Sequence, residues 1–372
     1  MRASGPGTAP AGLTAGQREW LRVRAYLAEH RYRLAVDAAE DYPAGSRLAG
    51  TPLLTAPGWR LPAPVPLRDV RLTFSPEAAG PAVPASPANL PERPDGTRYA
   101  RYCDALAELA VPAVFENRVT YRLAGAELSR GAPRLAFGRG RYFDGIDTGE
   151  AAAHEYAAAR LGGPAPRLRP AIGDPCDPRR RPVNLAISTL TLRLEAPGRA
   201  SFLLHWRDPA KVGHAGGLYQ VIPVGVFQPS GEAEPNERND FSLWRCMVRE
   251  FAEELGGRPE DYGTGPVDYG SWPFARQLAA AAGRGLVRVW CLGLGTDPLT
   301  YATDLLTVAV FDGDAYDGLF GAIPRRNTEG HVLAAREFTA SVIDRTVARD
   351  PVQAAGAAVL RLAWRYRETL IG

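Results

Sequence analysis

Between residues 187 and 206 the chain reads ISTLTLRLEAPGRASFLLHW. Leu190, Leu192 and Leu194 fall on alternate positions and APGR interrupts them, which is the period-two pattern of a hairpin with one buried face. A lone strand pair is barely stable in water, so this pattern demands more strands and a covering layer. The same half supplies both. GLYQVIPVGVF (217–227), GLVRVWCLGLG (285–295) and DLLTVAVF (304–311) read as strands. The stretch 240–255 reads as a helix, and 351–370 as another with Val352, Ala355, Val359, Leu362, Tyr366 and Leu370 along one face. The fold class expected is therefore α+β.

The first half is organised differently. Residues 1–14 are small, polar and Gly/Pro-containing and read as a disordered tail. From 15 to 161 the chain reads as an α+β region of unassigned role. It has helical periodicity over 16–43, a proline-punctuated loop at 75–96, a helix at 98–115 and strand-like alternation over 120–145. A further helix, 147–161, is opened by Asp147, with Glu150 three residues on as in a capping box. A Pro/Arg-rich linker is expected at 162–184, its Arg179–Arg181 run solvated. The second half then divides into a domain at 185–345 and a C-terminal helix at 346–372.

With 372 residues, 45% hydrophobic and 23% charged, the chain is an ordinary globular composition at a net charge of only +3. That balance gives no sign of nucleic acid or an anionic membrane as partner, and no helix-turn-helix spacing is visible. Lys211 is the only lysine, and with abundant Ala, Gly and Pro this implies a GC-rich, actinobacterial source. Cys103, Cys176, Cys246 and Cys291 form no CxxC pair, and Cys246 and Cys291 sit in apolar patterns expected to be buried. Neither a signal peptide nor an apolar run of ~20 residues is present, so a cytoplasmic location is expected, with a homodimer left open.

The most unusual stretch is MVREFAEELGG, residues 247–257. Trp244, Met247, Val248, Phe251 and Leu255 recur at helical spacing and would face a core. Glu250, Glu253 and Glu254 lie at i, i+3 and i+4 and would share the opposite face. Like charges at that spacing repel, and two of them approach the negative end of the helix dipole. A divalent cation reverses the sign of the argument, because hard Mg²⁺ or Mn²⁺ favours clustered carboxylate oxygens.

REFAEELGG resembles the second half of the Nudix box, G-x5-E-x7-R-E-U-x-E-E-x-G-U with U apolar. Arg249, Glu250, Phe251, Glu253, Glu254 and Gly256 match, and only Gly257 departs. Upstream, PVGVFQPSGE (223–232) resembles the glycine-rich lead-in, with Gly225 as first glycine. Glu232 falls one residue late, and AEPNERND stands as an insertion before Arg249. NTEGHVLAAREFT (327–339) is similar to the element that brings an acidic residue back near the site. The resemblance covers roughly 185–345 and implies an α/β/α sandwich with a mixed sheet. It further implies Mg²⁺- or Mn²⁺-dependent hydrolysis of a phosphoanhydride in a nucleoside diphosphate derivative or related metabolite. Glu253 and Glu254 would be the main metal ligands, with Glu250 a further ligand or base and Glu232 part of the cradle. Arg249 would orient a glutamate, and Gly225 would lie by the substrate. The general base would be Glu250, Glu329 or Glu337. The alternative is a catalytically weak Nudix-like module that binds a nucleotide-like ligand or a partner as a sensor.

Other motifs carry less. HWRDP (205–209), followed by Lys211 and His214, offers a phosphate-binding edge through Arg207 and Lys211, against the plainer reading of a strand-terminal polar turn. His154-Glu155 lacks the second histidine of HExxH, since position 158 is alanine. GLGTDP (293–298) has neither a dinucleotide fingerprint nor a P-loop lysine. Trp206, Trp244, Trp272 and Trp290 could stack a base, though tryptophans so spaced are usually core.

Overall fold

The computed structural model describes residues 12–77, 80–82, 90–112, 114–208, 216–263, 265–321, 323 and 330–372. Along the first half run α1 (Ala15–Ala39), β1 (Arg60–Pro66), β2 (Arg71–Phe74), α2 (Tyr102–Leu109), β3 (Val119–Glu127) and β4 (Arg134–Arg141). Next come α3 (Tyr142–Gly145), a π-helical turn Ile146–Glu150 and α4 (Ala151–Arg160) in one continuous run, then α5 (Leu168–Ile172). The second half begins with β5 (Leu185–Ala196), β6 (Arg199–Phe202), β7 (His205–Arg207), β8 (Tyr219–Gln220) and β9 (Val224–Val226). It continues with α6 (Glu234–Asp240), α7 (Leu243–Glu250) and its π-helical extension Phe251–Leu255, α8 (Pro273–Gly283), β10 (Val287–Thr296), β11 (Thr303–Asp312) and α9 (Gly313–Phe320). It closes with β12 (Gly330–Val332), β13 (Arg336–Glu337), α10 (Ala340–Arg349), α11 (Ala354–Arg365) and α12 (Arg367–Ile371).

The expected hairpin is β5–β6, and it sits in a seven-stranded sheet ordered β1-β10-β11-β5-β6-β13 with β9 also on β5. β11 and β5 are parallel and the other pairings antiparallel, so the sheet is mixed and the class is α+β. Side-chain alternation on β5 decides the layers. Leu190 and Leu192 join Val308, Val310, Val359 and Leu362 under α11 on one face. Leu185 and Ile187 join Met247, Phe251, Leu255, Leu278 and Phe320 on the other. Helices therefore cover both faces.

The run 217–227 does not form one strand. Pro223 has no N–H to give a ladder, and the chain splits into β8, in a three-stranded sheet β12-β7-β8, and β9 in the main sheet. The segment expected as a linker at 162–184 is packed. Arg169 and Arg181 are buried, and Arg181 donates to the carbonyls of Pro175 and Pro182 and to Thr303 Oγ1. Of that run Arg179 and Arg180 are exposed as expected, Arg179 pairing with Asp177, and Arg181 alone is buried. β1 pairs with β10, so a strand from the first half belongs to the sheet of the second.

Asp147 and Glu150 do not cap a helix start. They lie inside the π-helical turn, where Asp147 accepts from the Cys103 amide at 2.7 Å. Glu150 accepts two bonds from Arg31, at 2.9 and 3.0 Å, and one from Arg24 at 2.8 Å. Buried carboxylates there find long-range partners, and Asp144 bonds the Arg141 amide at the true start. Burial sets the rest of that corner: His154, stacked on Trp20, has its pKa pulled down to about 3. Glu155 accepts the Arg167 and Leu168 amides, so neither residue is placed to bind a metal. All four cysteines are buried free thiols, as anticipated for Cys246 and Cys291, and burial pushes Cys291 up to about 12.

Candidate functional site

α7 starts at Ser242, whose hydroxyl accepts from the Arg245 amide, and buries Met247 and Val248 in the core. At Phe251 the α-helical turn widens, and the Gly256 amide bonds the Phe251 carbonyl, i to i+5. Across this turn the three glutamates meet different surroundings. Glu254 is buried, and its Oε1 accepts from the Val224 amide at 2.7 Å. The Glu250 carboxyl lies against Gly225 so closely that a Cβ built there would be 1.9 Å from it. Both therefore meet consecutive residues of β9. Glu253 Oε1 accepts from the Tyr262 hydroxyl. Burial first, and the Glu253 charge second, hold the Tyr262 phenol far above its ordinary pKa.

Arg249 is buried at 3% exposure, and its partners define the lead-in. It donates to the Gln228 carbonyl at 2.5 Å and the Tyr269 hydroxyl at 2.6 Å, and pairs with Asp240 at 3.5 Å. Asp240 also accepts from the Tyr269 hydroxyl at 2.9 Å and from the Ser230 amide and hydroxyl at 2.7 and 2.5 Å. Burial opposes the Arg249 charge, but the groups around it, Asp240 among them, outweigh that and raise its pKa. Asp240 is the functional residue that sequence reasoning missed. The E-x7-R spacing sets an acid at position 241, and Asp240 stands one residue before it. The insertion thus lies between Gly225 and Asp240, where AEPNERND forms α6.

Glu232, immediately before AEPNERND, lies outside the cluster. It is 56% exposed, pairs with Arg141 at 2.8 Å and accepts from the Val119 amide at 2.9 Å. Glu237, in α6, is gripped by Arg139 through two bonds of 2.8 and 2.6 Å. The β3–β4 hairpin of the first half therefore holds the inserted loop. Arg207 lies on β7, opposite Gly330, and its neighbour His205 is buried with Nδ1 3.7 Å from Glu254 Oε2. His205, at the start of that motif, is thus placed beside the carboxylate helix. Glu337 pairs with Ser201, which opposes Arg193 on β5, whereas Gly225 opposes Ile187. Six residues of strand separate the two positions, ~20 Å. Glu329 and Lys211 lie outside the described residues.

Among the described residues no three His, Cys, Asp or Glu side chains converge as a metal centre. The donor chemistry nonetheless fits a hard divalent cation at two positions. Glu250 and Glu254 bring carboxylate oxygens to one strand end, where glycine leaves the space that Glu250 fills. Glu253, as it stands, is engaged by Tyr262, and Glu232 is not part of the cradle. Among the described residues no helix is long and apolar enough to cross a membrane.

No family model matches this sequence, and no curated protein does. Among solved structures, a Nudix hydrolase from Alicyclobacillus acidocaldarius is 18% identical, with 48% of this chain and 90% of that one covered at a TM-score of 0.28. RenU, a Nudix hydrolase from M. smegmatis, is 17% identical, covering 50% of this chain and 88% of its own at a TM-score of 0.25.

Proposed function

We propose that this chain is a Mg²⁺- or Mn²⁺-dependent hydrolase acting on a phosphoanhydride in a nucleoside diphosphate derivative or related metabolite. One observation carries the reading: Glu250 and Glu254 meet the consecutive residues Gly225 and Val224, a juxtaposition that the glycine alone permits. The cation would be held by Glu250, Glu254 and Glu253, and when bound would neutralise phosphate charge and acidify a water. Arg249, fixed by Asp240, Tyr269 and the Gln228 carbonyl, ties the lead-in loop to the carboxylate helix. Between the candidate bases Glu250 and Glu337, Glu250 lies beside Gly225 and Glu337 ~20 Å along the sheet, so this reading favours Glu250 of these two as ligand or base.

A second reading, a ligand-sensing module without turnover, draws support from Glu232 and Glu253 being committed to Arg141 and Tyr262. The test is release of nucleoside monophosphate or phosphate from a panel of nucleoside diphosphate derivatives with Mg²⁺ or Mn²⁺. Wild type is expected to turn over, and Glu253→Gln/Glu254→Gln to lose at least ~100-fold in kcat/KM. Well-folded wild type without metal-dependent turnover on the whole panel would favour the sensor.

A further inference from the structure

β1 stays beside β10 as far as the pairs Val65–Cys291 and Pro66–Trp290, and the chain then turns away through the 3₁₀ turn Leu67–Asp69. β10 begins earlier, at Val287, so its first residues run along β11 without β1 as a second neighbour. The start of α7 and the end of α8 wall the space that this leaves, a cavity of about 680 Å³. That size falls among small-molecule sites, which span roughly 300–1,000 Å³. The lining is apolar and aromatic, with Phe241, Trp244 and Trp290 supplying the rings. Its charged side chains are Arg68 and Arg288, and no acid lines it. Arg68 faces its neighbour Asp69 at 4.0 Å and is 86% exposed. Arg288 is half-buried and makes no ion pair or hydrogen bond among the described residues. The Trp290 indole N–H is buried with no acceptor among them, a cost that a bound acceptor would remove.

We propose that this cavity binds a planar aromatic carboxylate, at a site separate from the one that Glu250 and Glu254 form. Charge decides the sign of the ligand. Two guanidinium groups with no acid between them favour an anion, and a guanidinium takes a carboxylate through two parallel hydrogen bonds. The rings decide its shape. Indole and phenyl faces pack best on a flat apolar body, and a buried indole N–H asks that body to carry an acceptor. Ser242 adds a donor, since its oxygen accepts from the Arg245 amide and keeps its own proton to give. The two sites share α7 and not its space: Ser242 opens the helix and Glu250 ends it, eight residues on, or ~12 Å. The cavity also joins the two halves of the chain, because Leu67, Arg68, Val70 and Leu72 come from the first and the rest of its wall from the second. The inference stands whether or not the molecule hydrolyses a phosphoanhydride.

The experiment titrates 2-naphthoate, and separately the neutral 2-naphthamide of the same shape, into the full chain by isothermal titration calorimetry. Wild type, Arg288→Gln and Arg288→Lys are compared. Wild type is expected to bind one 2-naphthoate with a Kd on the order of 0.1 mM and the amide about 10-fold more weakly. Arg288→Gln is expected to weaken the acid about 10-fold and leave the amide unchanged, and Arg288→Lys to keep most of the affinity for the acid. ADP with Mg²⁺ is expected not to displace the acid. No binding of 2-naphthoate by wild type at millimolar concentration would overturn the proposal. So would equal affinities for acid and amide, or an affinity for the acid that Arg288→Gln leaves unchanged. Displacement by ADP would overturn the separation of the two sites and make the cavity part of a nucleotide site. Should Arg288→Gln not fold, the acid-against-amide comparison on wild type decides the matter.

Discussion

Two glycines show how one added carbon can be tolerated or not. At Gly225 a Cβ would meet the end of the Glu250 side chain, 1.9 Å away, and a long flexible side chain can swing aside. At Gly149 it would meet the Thr300 backbone carbonyl oxygen at 2.0 Å, which has nowhere to go. Gly225→Ala is therefore expected to change unfolding free energy by under ~1 kcal/mol but to reduce kcat/KM as far as Glu250→Gln does. Gly149→Ala should cost ~3 kcal/mol or more, read by denaturant unfolding. Equal stability losses at the two positions would show that the Glu250 carboxyl is not what fills the space at Gly225.

Among the elements, the carboxylate helix and its lead-in are joined by the buried Arg249–Asp240 pair. Asp240 joins Ser230 in the loop, Tyr269 beyond the helix and Arg249 within it. Asp240→Asn leaves the Arg249 guanidinium buried beside a neutral group, and the expected cost is ~3 kcal/mol in denaturant unfolding at neutral pH. Much of this element was legible in the sequence. Met247, Val248, Phe251 and Leu255 are buried as their spacing required. What was not legible is the π-helical turn at Phe251–Leu255, because helical spacing alone does not reveal where a turn widens. The three glutamates read as one solvated face, whereas Glu254 is buried against the Val224 amide. Asp240 escaped notice for a related reason: an acid one residue off a motif spacing becomes visible only when its partner is seen.

For the molecule as a whole, the division between first and second halves is crossed by a strand and a shared core. β1 pairs with β10, and Tyr121, Leu123, Leu135 and Phe137 from the β3–β4 hairpin pack in the same cluster as Met247 and Phe251. A fragment beginning at residue 185 is expected to show no cooperative thermal transition and to bind a hydrophobic dye, whereas the full chain unfolds cooperatively. Local periodicity located most strands but could not assign β1 to its neighbour, since pairing over such sequence separation leaves no local trace. The composition of β1 has one more consequence. Its sequence RLPAPVP places Pro62, Pro64 and Pro66 on the outermost strand, and the opposite border, β13, is two residues long. Proline offers no N–H to a newcomer and a two-residue border offers almost no template. At these two borders the seven-stranded sheet therefore resists lengthening by a second chain, so strand-to-strand association there is disfavoured.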